Sequence, residues 1–426
     1  MKRFHVTERN NAGFTLVELI VTMAVFIAVI IIAAQSFDTI LSNSIRVNKS
    51  EESNIEGIIG LEILRHDLEQ MGFGLPWQFK TGTAISYTES VDTKGAELND
   101  APGVPRAFAG RDGFGEYGSD FLAVKASTVG VARASQRWTY VPFHNLSTAT
   151  GRESRPVSWP SLNLQNDDKV IAIRTNFNDE TDDHVLVENS GGTYSFDYKT
   201  DGTIDGAFLP ETDQQTHLLY GITAAGQTPR MPFNRADYFV NYSSVGTPKP
   251  PSFCAENTGV LYKALINHAG GIYSYMPLLD CVADMQVVLG WDTSEKGLAN
   301  TVDAYTSLPA QDGTVSSSPA GAGALIKGWL TADSGDPGKV PRNIREHLKV
   351  IKLYILAQEG RREKTYTFPT STILVGKECR SAEAGSIDCG ASLTRPAYAL
   401  SAEQRHFRWK LYRLIVRPKN LVSNQR

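Results

Sequence analysis

The sequence predicts an α+β protein, in which one long N-terminal helix is followed by a large domain rich in β-structure. The first observation is an apolar run from Phe14 to Ala34, whose 21 residues carry a single charge, Glu18. The second is that no proline occurs from Phe14 to Leu75, while apolar residues continue at helical spacing. The third is a change after Pro76 to short alternating or apolar runs separated by turn residues, the pattern of an antiparallel sheet with inserted β-structure.

The N-terminal segment predicts a single crossing of a membrane. Lys2, Arg3 and Arg9 precede the apolar run, and basic residues at that place hold the N-terminus in the cytoplasm. The run is long enough to cross a hydrocarbon core of about 30 Å, so we expect the rest of the chain outside the inner membrane. An ordinary secretory signal, cleaved before Gln35, is the alternative reading of the same segment.

Glu18 is the feature that a simple membrane anchor does not explain. A carboxylate in hydrocarbon costs several kcal/mol unless it is paired, so an intramembrane Glu indicates a function. The pairing group must be a positive charge at the same depth in the membrane. A Glu18 near enough to the interface to stay hydrated is the other possibility.

The second part of the predicted helix is amphipathic. Apolar residues recur every three or four positions up to Met71, which predicts one helix over Phe14–Met71 that packs on the outer domain. Gly72, Gly74 and Pro76 follow, and this is helix-terminating chemistry. The predicted strands are Asp120–Lys125, Arg137–Val141, Lys169–Arg174, Tyr238–Tyr242, Val260–Ile266, Met285–Leu289, Leu348–Leu356, Lys364–Phe368 and His406–Val416. Residues 87–118 and 294–345 are predicted to be long loops, of a kind that is usually functional or mobile.

The net charge of 42 basic against 46 acidic residues is −4, which argues against nucleic acid as a partner. The sequence contains no nucleophile elbow, zinc-protease helix or phosphate-binding loop, so we expect no enzyme activity, no metal and no cofactor. Residues 197–202 begin like a calcium loop, but Lys199 stands at a ligand position, and we interpret the segment as a turn.

The four cysteines follow the predicted export segment, so their even number indicates two disulfides in an oxidising compartment. We favour pairing between sequence neighbours, although four cysteines allow three pairings and four buried thiols are a further alternative. The favoured pairs are Cys254–Cys281 and Cys379–Cys389.

The sequence GFTLVE at residues 13–18 resembles the processing site of type IV prepilins and pseudopilins. This resemblance implies cleavage between Gly13 and Phe14 by a prepilin peptidase, and N-methylation of Phe14. It also implies that Glu18 pairs with the Phe14 amine, mainly between neighbouring subunits of a filament. The implied division is a leader (1–13), a transmembrane or filament-core part (14–34), an amphipathic part of the same helix (35–72) and a periplasmic or extracellular domain (73–426).

Further segments narrow the resemblance to minor pilins of the PilW family. The end of the predicted helix, LRHDLEQMGFG at residues 64–74, is similar to the helix end of that family. Residues 237–242, 258–263, 277–282 and 285–292 then follow in the order of its later segments. The resemblance implies a pilin-like fold and a role in initiating or assembling a type IV pilus, in a tip or priming complex. It implies as partners other minor pilins, the major pilin, the inner-membrane assembly platform and a tip adhesin, with the pilus or cell surface as the final location. The two variable surfaces of pilins would correspond to residues 76–118 and to the Cys379–Cys389 loop.

Two other functions share some of these features. A J-type minor pseudopilin of a type II secretion system has the same N-terminus and fold. A DNA-binding pilin of an uptake system would use the basic and aromatic residues after Glu403. The interpretation that we prefer for that segment is an amphipathic strand, with Phe407, Trp409 and Leu411 in the core and basic residues protecting an edge.

Overall fold

A computed structural model describes residues 15–80, 85–144, 154–159, 163–176, 184–242, 250–318, 321–333, 335–376 and 397–422. The chain forms two compact units, Met1–Asn54 and Ile55–Arg426. The helices are α1 (Leu16–Glu69), α2 (Thr93–Ala96), α3 (Ala322–Leu330), α4 (Lys339–His347) and α5 (Lys419–Val422). The prediction of an N-terminal apolar helix followed by a large β-rich domain is confirmed.

Seventeen strands are present in the described residues, and most belong to the second unit's two large sheets. They are β1 (Gln78–Phe79), β2 (Phe108–Arg111), β3 (Phe121–Ala126), β4 (Trp138–Pro142), β5 (Lys169–Asn176), β6 (Val185–Leu186), β7 (Ser195–Asp197), β8 (Gln215–Thr223), β9 (Asn234–Asn241), β10 (Gly259–Ile266), β11 (Tyr273–Trp291), β12 (Ala304–Ser307), β13 (Ser317–Ser318), β14 (Leu348–Glu359), β15 (Thr372–Ile373), β16 (Tyr398–Ala399) and β17 (Arg408–Val416).

The nine-stranded sheet follows the order β2-β3-β9-β10-β11-β14-β17, and β12 with β13 adds to the C-terminal end of β11. Its strand pairs are antiparallel. The six-stranded sheet has the order β1-β6-β5-β8-β4, with β7 beside β5. The main hydrophobic core of the second unit contains residues of both sheets and of the last turns of α1. Leu61, Leu64 and Leu68 are the residues that α1 contributes to its buried part.

Two sequence-based expectations about local structure are wrong in detail. The helix ends at Glu69 rather than Met71, because residues 70–74 form turns in which Gly72 has φ 84°. Lys364–Phe368 is not a strand, since its backbone makes isolated hydrogen bonds such as Phe368 N–H to Arg405 O (2.7 Å) instead of a ladder. The other predicted strands coincide with β3, β4, β5, β9, β10, β14, β17 and the second half of β11.

The two predicted long loops contain regular structure. Residues 87–118 include α2 and β2, and residues 294–345 include β12, β13, α3 and most of α4. α4 buries Val340, Ile344 and His347 on one face, a helical spacing that is visible in the sequence. Pro341 lies in the first turn of α4, where proline is compatible with a helix.

Candidate functional site

The first candidate site is the start of α1, where Thr15 and Glu18 form a reciprocal cap. The Glu18 carboxylate accepts hydrogen bonds from Thr15 N–H (3.0 Å) and from the Thr15 hydroxyl (2.9 Å). In return, Glu18 N–H donates to the Thr15 hydroxyl oxygen at 3.3 Å. This arrangement is a capping box, which satisfies amide groups that have no partner inside the helix. Glu18 therefore has a local role at the helix start, which the sequence analysis did not consider. Gly13 and Phe14 lie outside the described residues.

The helix that begins at this cap is apolar on all sides. Its segment Leu16–Asp38 spans 23 residues and is long enough to cross a membrane. Its large apolar side chains are between 50% and 75% exposed within this unit. Exposed apolar surface of this extent is stable only when lipid or another apolar surface covers it.

The second candidate site is a buried polar contact between the end of α1 and the nine-stranded sheet. Asp67 of α1 accepts hydrogen bonds from the Tyr238 hydroxyl of β9 and from the Lys263 ammonium of β10. The three residues are 3%, 0% and 5% exposed, respectively. Burial and the charge of Asp67 together raise the pKa of Tyr238 well above its usual value, so Tyr238 remains a hydrogen-bond donor. Each residue belongs to one of three segments that the sequence analysis matched to the PilW pattern, and the structure brings those segments together.

Close backbone packing supports the same contact about two and three turns earlier in the helix. A Cβ atom on Gly60 would lie 1.9 Å from the carbonyl oxygen of Leu278, so only glycine permits this approach. A Cβ on Gly57 would lie 2.9 Å from the Leu279 side chain. Leu278 and Leu279 belong to a further matched segment, residues 277–282, which lies inside the long strand β11. The helix thus approaches β11 more closely than ordinary side chains would allow.

The C-terminal side of α1 is also held by residues that come much later in the chain. The Asn420 amide donates to the Gln70 carbonyl (3.1 Å), and Lys419 contacts Glu69 at 2.7 Å. Leu421 is buried and lies against Gly72. These contacts fix the direction in which the chain leaves the helix.

A buried charged network lies beneath residues 88–106, a segment that was predicted to be part of a loop. Lys125 contacts Glu89 and Asp100, each at 2.6 Å. Arg235 binds Glu89 at 2.9 Å and binds both carboxylate oxygens of Asp237, at 2.7 and 2.8 Å. Burial would raise the pKa of Asp100, but the charges of Arg106 and Lys125 outweigh it and lower that pKa. Three cations and three anions, 3 − 3 = 0, compensate one another, so the segment is anchored by paired charges.

The disulfide pairing that the sequence favoured is present for one pair of cysteines. Cys254 and Cys281 are joined, and the bridge ties the segment before β10 to β11. Cys281 has φ 54° and lies where the pairing of β11 with its neighbours shifts in register. Cys379 and Cys389 lie outside the described residues, and their pairing stays a prediction.

The basic residues of β17 are engaged in contacts with the rest of the domain. Arg408 contacts Glu363 at 3.0 Å and lies over the Tyr366 ring. Phe407 and Trp409 are buried as expected, whereas Leu411 is 39% exposed, so its predicted place in the core is wrong. Within the described residues, β17 pairs with β14 and with no other strand, so it lies at an edge of the sheet.

The described part of the chain contains no group of three or more metal-binding side chains. In the segment that begins like a calcium loop, the Lys199 ammonium forms an ion pair with the Asp167 carboxylate. Asp292, which follows β11, accepts hydrogen bonds from Ser294 and Thr301. These carboxylates serve turns and ion pairs.

Comparisons with known proteins identify the N-terminal segment. The family model described as the prokaryotic N-terminal methylation motif matches residues 9–34. No curated protein and no solved structure matches the chain. The motif is the prepilin-type signal; it points to a structural rather than a catalytic protein and implies processing by a prepilin peptidase. Together with the N-terminal apolar helix over Leu16–Asp38, it fits a pilin-like or pseudopilin protein that is anchored in the inner membrane.

Proposed function

We propose that this protein is a minor pilin of the PilW type, which helps to initiate or assemble a type IV pilus in a tip or priming complex. The observation that carries the proposal is the methylation motif at residues 9–34, placed directly on an apolar helix whose side chains are exposed. The meeting of Asp67, Tyr238 and Lys263 supports the narrower family assignment, because these residues come from the matched segments.

In this proposal, the leader is removed between Gly13 and Phe14, and the Phe14 amine is methylated. Cleavage creates a positive charge next to Thr15, which already holds the Glu18 carboxylate. The new amine competes with Thr15 for that carboxylate, so processing releases Glu18 from its local cap. Glu18 then pairs with the Phe14 amine of a neighbouring subunit, because a charge pair is more stable than either isolated charge in a low-dielectric environment.

The exposed apolar side chains of Leu16–Asp38 need a cover at each stage. The inner membrane supplies it before assembly, and the helices of neighbouring pilins supply it in the filament. The β-rich domain is periplasmic before assembly and is exposed on the pilus or cell surface afterwards. The proposed partners are other minor pilins, the major pilin, the assembly platform and a tip adhesin.

The processing step is tested by mass spectrometry of the protein purified from membranes. We expect a first residue of methylated Phe14 and a length of 426 − 13 = 413 residues. A bulky residue at Gly13 should block cleavage, whereas Gly13→Ala should leave it partly intact. A mature protein that begins at Gln35 would show secretory cleavage and would remove the basis of the proposal.

The role in a pilus, as opposed to a secretion system, is tested by deleting the gene. We expect a loss of surface pili while secretion of exported enzymes is unchanged, and complementation should restore the pili. The opposite result would identify a J-type minor pseudopilin. Binding of the purified protein to DNA, with a steep dependence on salt, would identify a DNA-uptake pilin.

A further inference from the structure

The nine-stranded sheet ends at β2, whose outer edge has no partner strand in the described part of the chain. In an antiparallel pair, residues that bond to the neighbouring strand alternate with residues whose N–H and C=O groups point away from it. Lys125 of β3 donates its N–H to Ala107 O (2.9 Å), so Ala107 belongs to the bonded series. Phe108 and Gly110 therefore direct their N–H and C=O groups to the open side of β2.

One backbone hydrogen bond covers the end of this edge. The chain after β12 approaches β2 at Asp112, whose N–H donates to Pro309 O (3.0 Å). Beyond β2's ladder with β3, the hydrogen bonds among the described residues do not use the backbone groups of Phe108 or Gly110. Proteins usually cover or blunt an open strand edge, because it can pair with another chain. These two positions of β2 are thus available for such pairing.

The open edge lines a cleft of about 190 Å³. The facing wall is formed by residues 309–313, which begin at the contact with Asp112, and by the C-terminal part of α3. The cleft therefore lies on the open side of β2. Several water molecules would fit in this volume, so an extended backbone with small side chains can enter it. The charged and polar lining residues are Glu97, Arg106, Arg111, Gln311, Lys327 and Thr331.

The charges at the cleft favour an acidic partner. Arg106 and Arg111 are each compensated by a carboxylate of this chain. Lys327 forms no ion pair with a described residue, and its ammonium lies 3.5 Å from the backbone carbonyl oxygen of Asp312. The Asp312 carboxylate itself accepts hydrogen bonds from Thr314. A carbonyl at that distance is a weak partner for a cation, so a carboxylate that enters the cleft would give Lys327 a stronger one.

The backbone edge distinguishes a peptide from a simple anion. The edge presents carbonyl oxygens beside its N–H groups, and these carbonyls would repel a phosphate or a free carboxylate ion. An extended peptide offers N–H and C=O groups in the same alternation, so it can pair with both. A second copy of this chain fits less well, because pairing of two β2 edges would bring Arg111 and Lys327 of both copies together.

We infer that the open edge of β2 accepts an extended, acidic segment of another protein as an additional strand. Phe108 and Gly110 exchange backbone hydrogen bonds with that segment, and Lys327 pairs with one of its carboxylates. The main-chain bonds supply the affinity, and the carboxylate supplies the preference for an acidic segment. The inference does not depend on the proposed role in a pilus.

The test measures the binding of capped peptides to the intact protein in a non-ionic detergent, by calorimetry. The probes are acetyl-TVEVT-amide, acetyl-TIEIT-amide and acetyl-VTETV-amide. Each has one counterpart with lysine in place of glutamate, and another with N-methyl groups on its three internal amides, which cannot donate hydrogen bonds. Site-resolved hydrogen exchange reports on the amides of β2. The cleft variant is Lys327→Glu, and the matched control is Lys364→Glu, at an exposed lysine outside the cleft.

We expect at least one acidic peptide to bind the wild type with a Kd of about 1 mM or lower. Its lysine and N-methylated counterparts should bind about tenfold more weakly or worse. Binding should slow the exchange of the Phe108 and Gly110 amides, whereas the amides between them that already bond to β3 should change little. Lys327→Glu should reverse the preference, so that the lysine peptide binds more tightly than the acidic one. Lys364→Glu should change binding less than about twofold.

The inference is overturned if none of the acidic peptides binds at about 5 mM, which would mean that water fills the cleft. Binding that leaves the exchange of Phe108 and Gly110 unchanged would also overturn it, since the peptide would then lie elsewhere. Equal affinities for the glutamate and lysine peptides would contradict the role of Lys327. A dimer that protects the same amides, detected by analytical ultracentrifugation, would identify a second copy as the occupant and overturn the inference. The peptide comparisons on the wild type decide the outcome if Lys327→Glu does not fold.

Discussion

Removal of Asp67 should destabilise the β-rich unit more than removal of any exposed carboxylate on the same helix. The Asp67→Ala variant would leave the Lys263 ammonium, in a residue that is 5% exposed, without its counter-charge. The Tyr238 hydroxyl would lose its acceptor at the same time. Breaking a buried ion pair from one side costs about 3–5 kcal/mol of unfolding free energy.

The assay is guanidinium unfolding of the detergent-solubilised protein, followed by tryptophan fluorescence. The matched control is Glu62→Ala, because Glu62 pairs with Arg65 on an exposed part of the same helix, where their side chains are 59% and 46% exposed. Exposed pairs contribute little to stability, so this variant should unfold close to the wild type. The combined variant Asp67→Leu, Lys263→Met should recover the part of the loss that comes from the unpaired ion, since it leaves no buried charge without a partner, although the Tyr238 hydroxyl still lacks its acceptor.

Equal unfolding free energies for Asp67→Ala and Glu62→Ala would refute this reasoning. That result would mean that solvent reaches the Lys263 ammonium, or that the helix end is not fixed by the contact. A double variant that is no more stable than Asp67→Ala would refute the charge-pair explanation in particular. The loss would then arise from side-chain packing.

Three further predictions concern other parts of the chain. Gly60→Ala should lower the unfolding free energy by about 1–3 kcal/mol, because the new Cβ would meet the Leu278 carbonyl oxygen. Gly328 on α3 has open space around it, so Gly328→Ala should raise the unfolding free energy by about 0.5–1 kcal/mol. Both variants are measured in the same denaturant assay. Glu18→Ala should preserve membrane insertion and cleavage but abolish co-purification with other minor pilins; full recovery of the complex at matched protein levels would contradict the charge-pairing role. Burial lowers the pKa of His268 from 6.5 to about 4, so the unfolded chain binds the extra proton and stability should fall by about 3 kcal/mol between pH 6.5 and 4. His268→Gln should flatten that pH dependence, and an unchanged profile would show that His268 is not its source.

The sequence predicted the N-terminal helix well because its signals are local. The apolar run and the glycines at 72 and 74 act within a few residues of the chain, and the structure follows them closely. The strands with continuous apolar runs, such as β14, were predicted for the same reason. β8 was missed even though residues 218–222 are mostly apolar, since its length is decided by pairing with β5 and β4.

The candidate sites were less accessible from the sequence, because their partners are far apart along the chain. The spacing of the apolar residues gives no indication that Asp67 meets residues 238 and 263. The capping box could have been found, since a threonine followed three residues later by a glutamate at a helix start is a known signature. Glu18 was instead interpreted only as a charged residue within the membrane segment. The buried network of Lys125 and Arg235 had no sequence signal, because burial of a charge depends on the folded surroundings.

The charged network beneath residues 88–106 has a consequence for local motion. This segment contains little regular structure, and such segments usually exchange their amide hydrogens quickly. Here Thr88 N–H donates to Arg230 O, Val91 N–H donates to Gly271 O, and Glu89 is held by Lys125 and Arg235. The segment cannot lift from the sheet without separating these buried charges, and separating a buried ion pair is strongly unfavourable. Its amides should therefore exchange only when the neighbouring strands β3 and β9 open, so that an irregular segment and the centre of a sheet share one opening free energy.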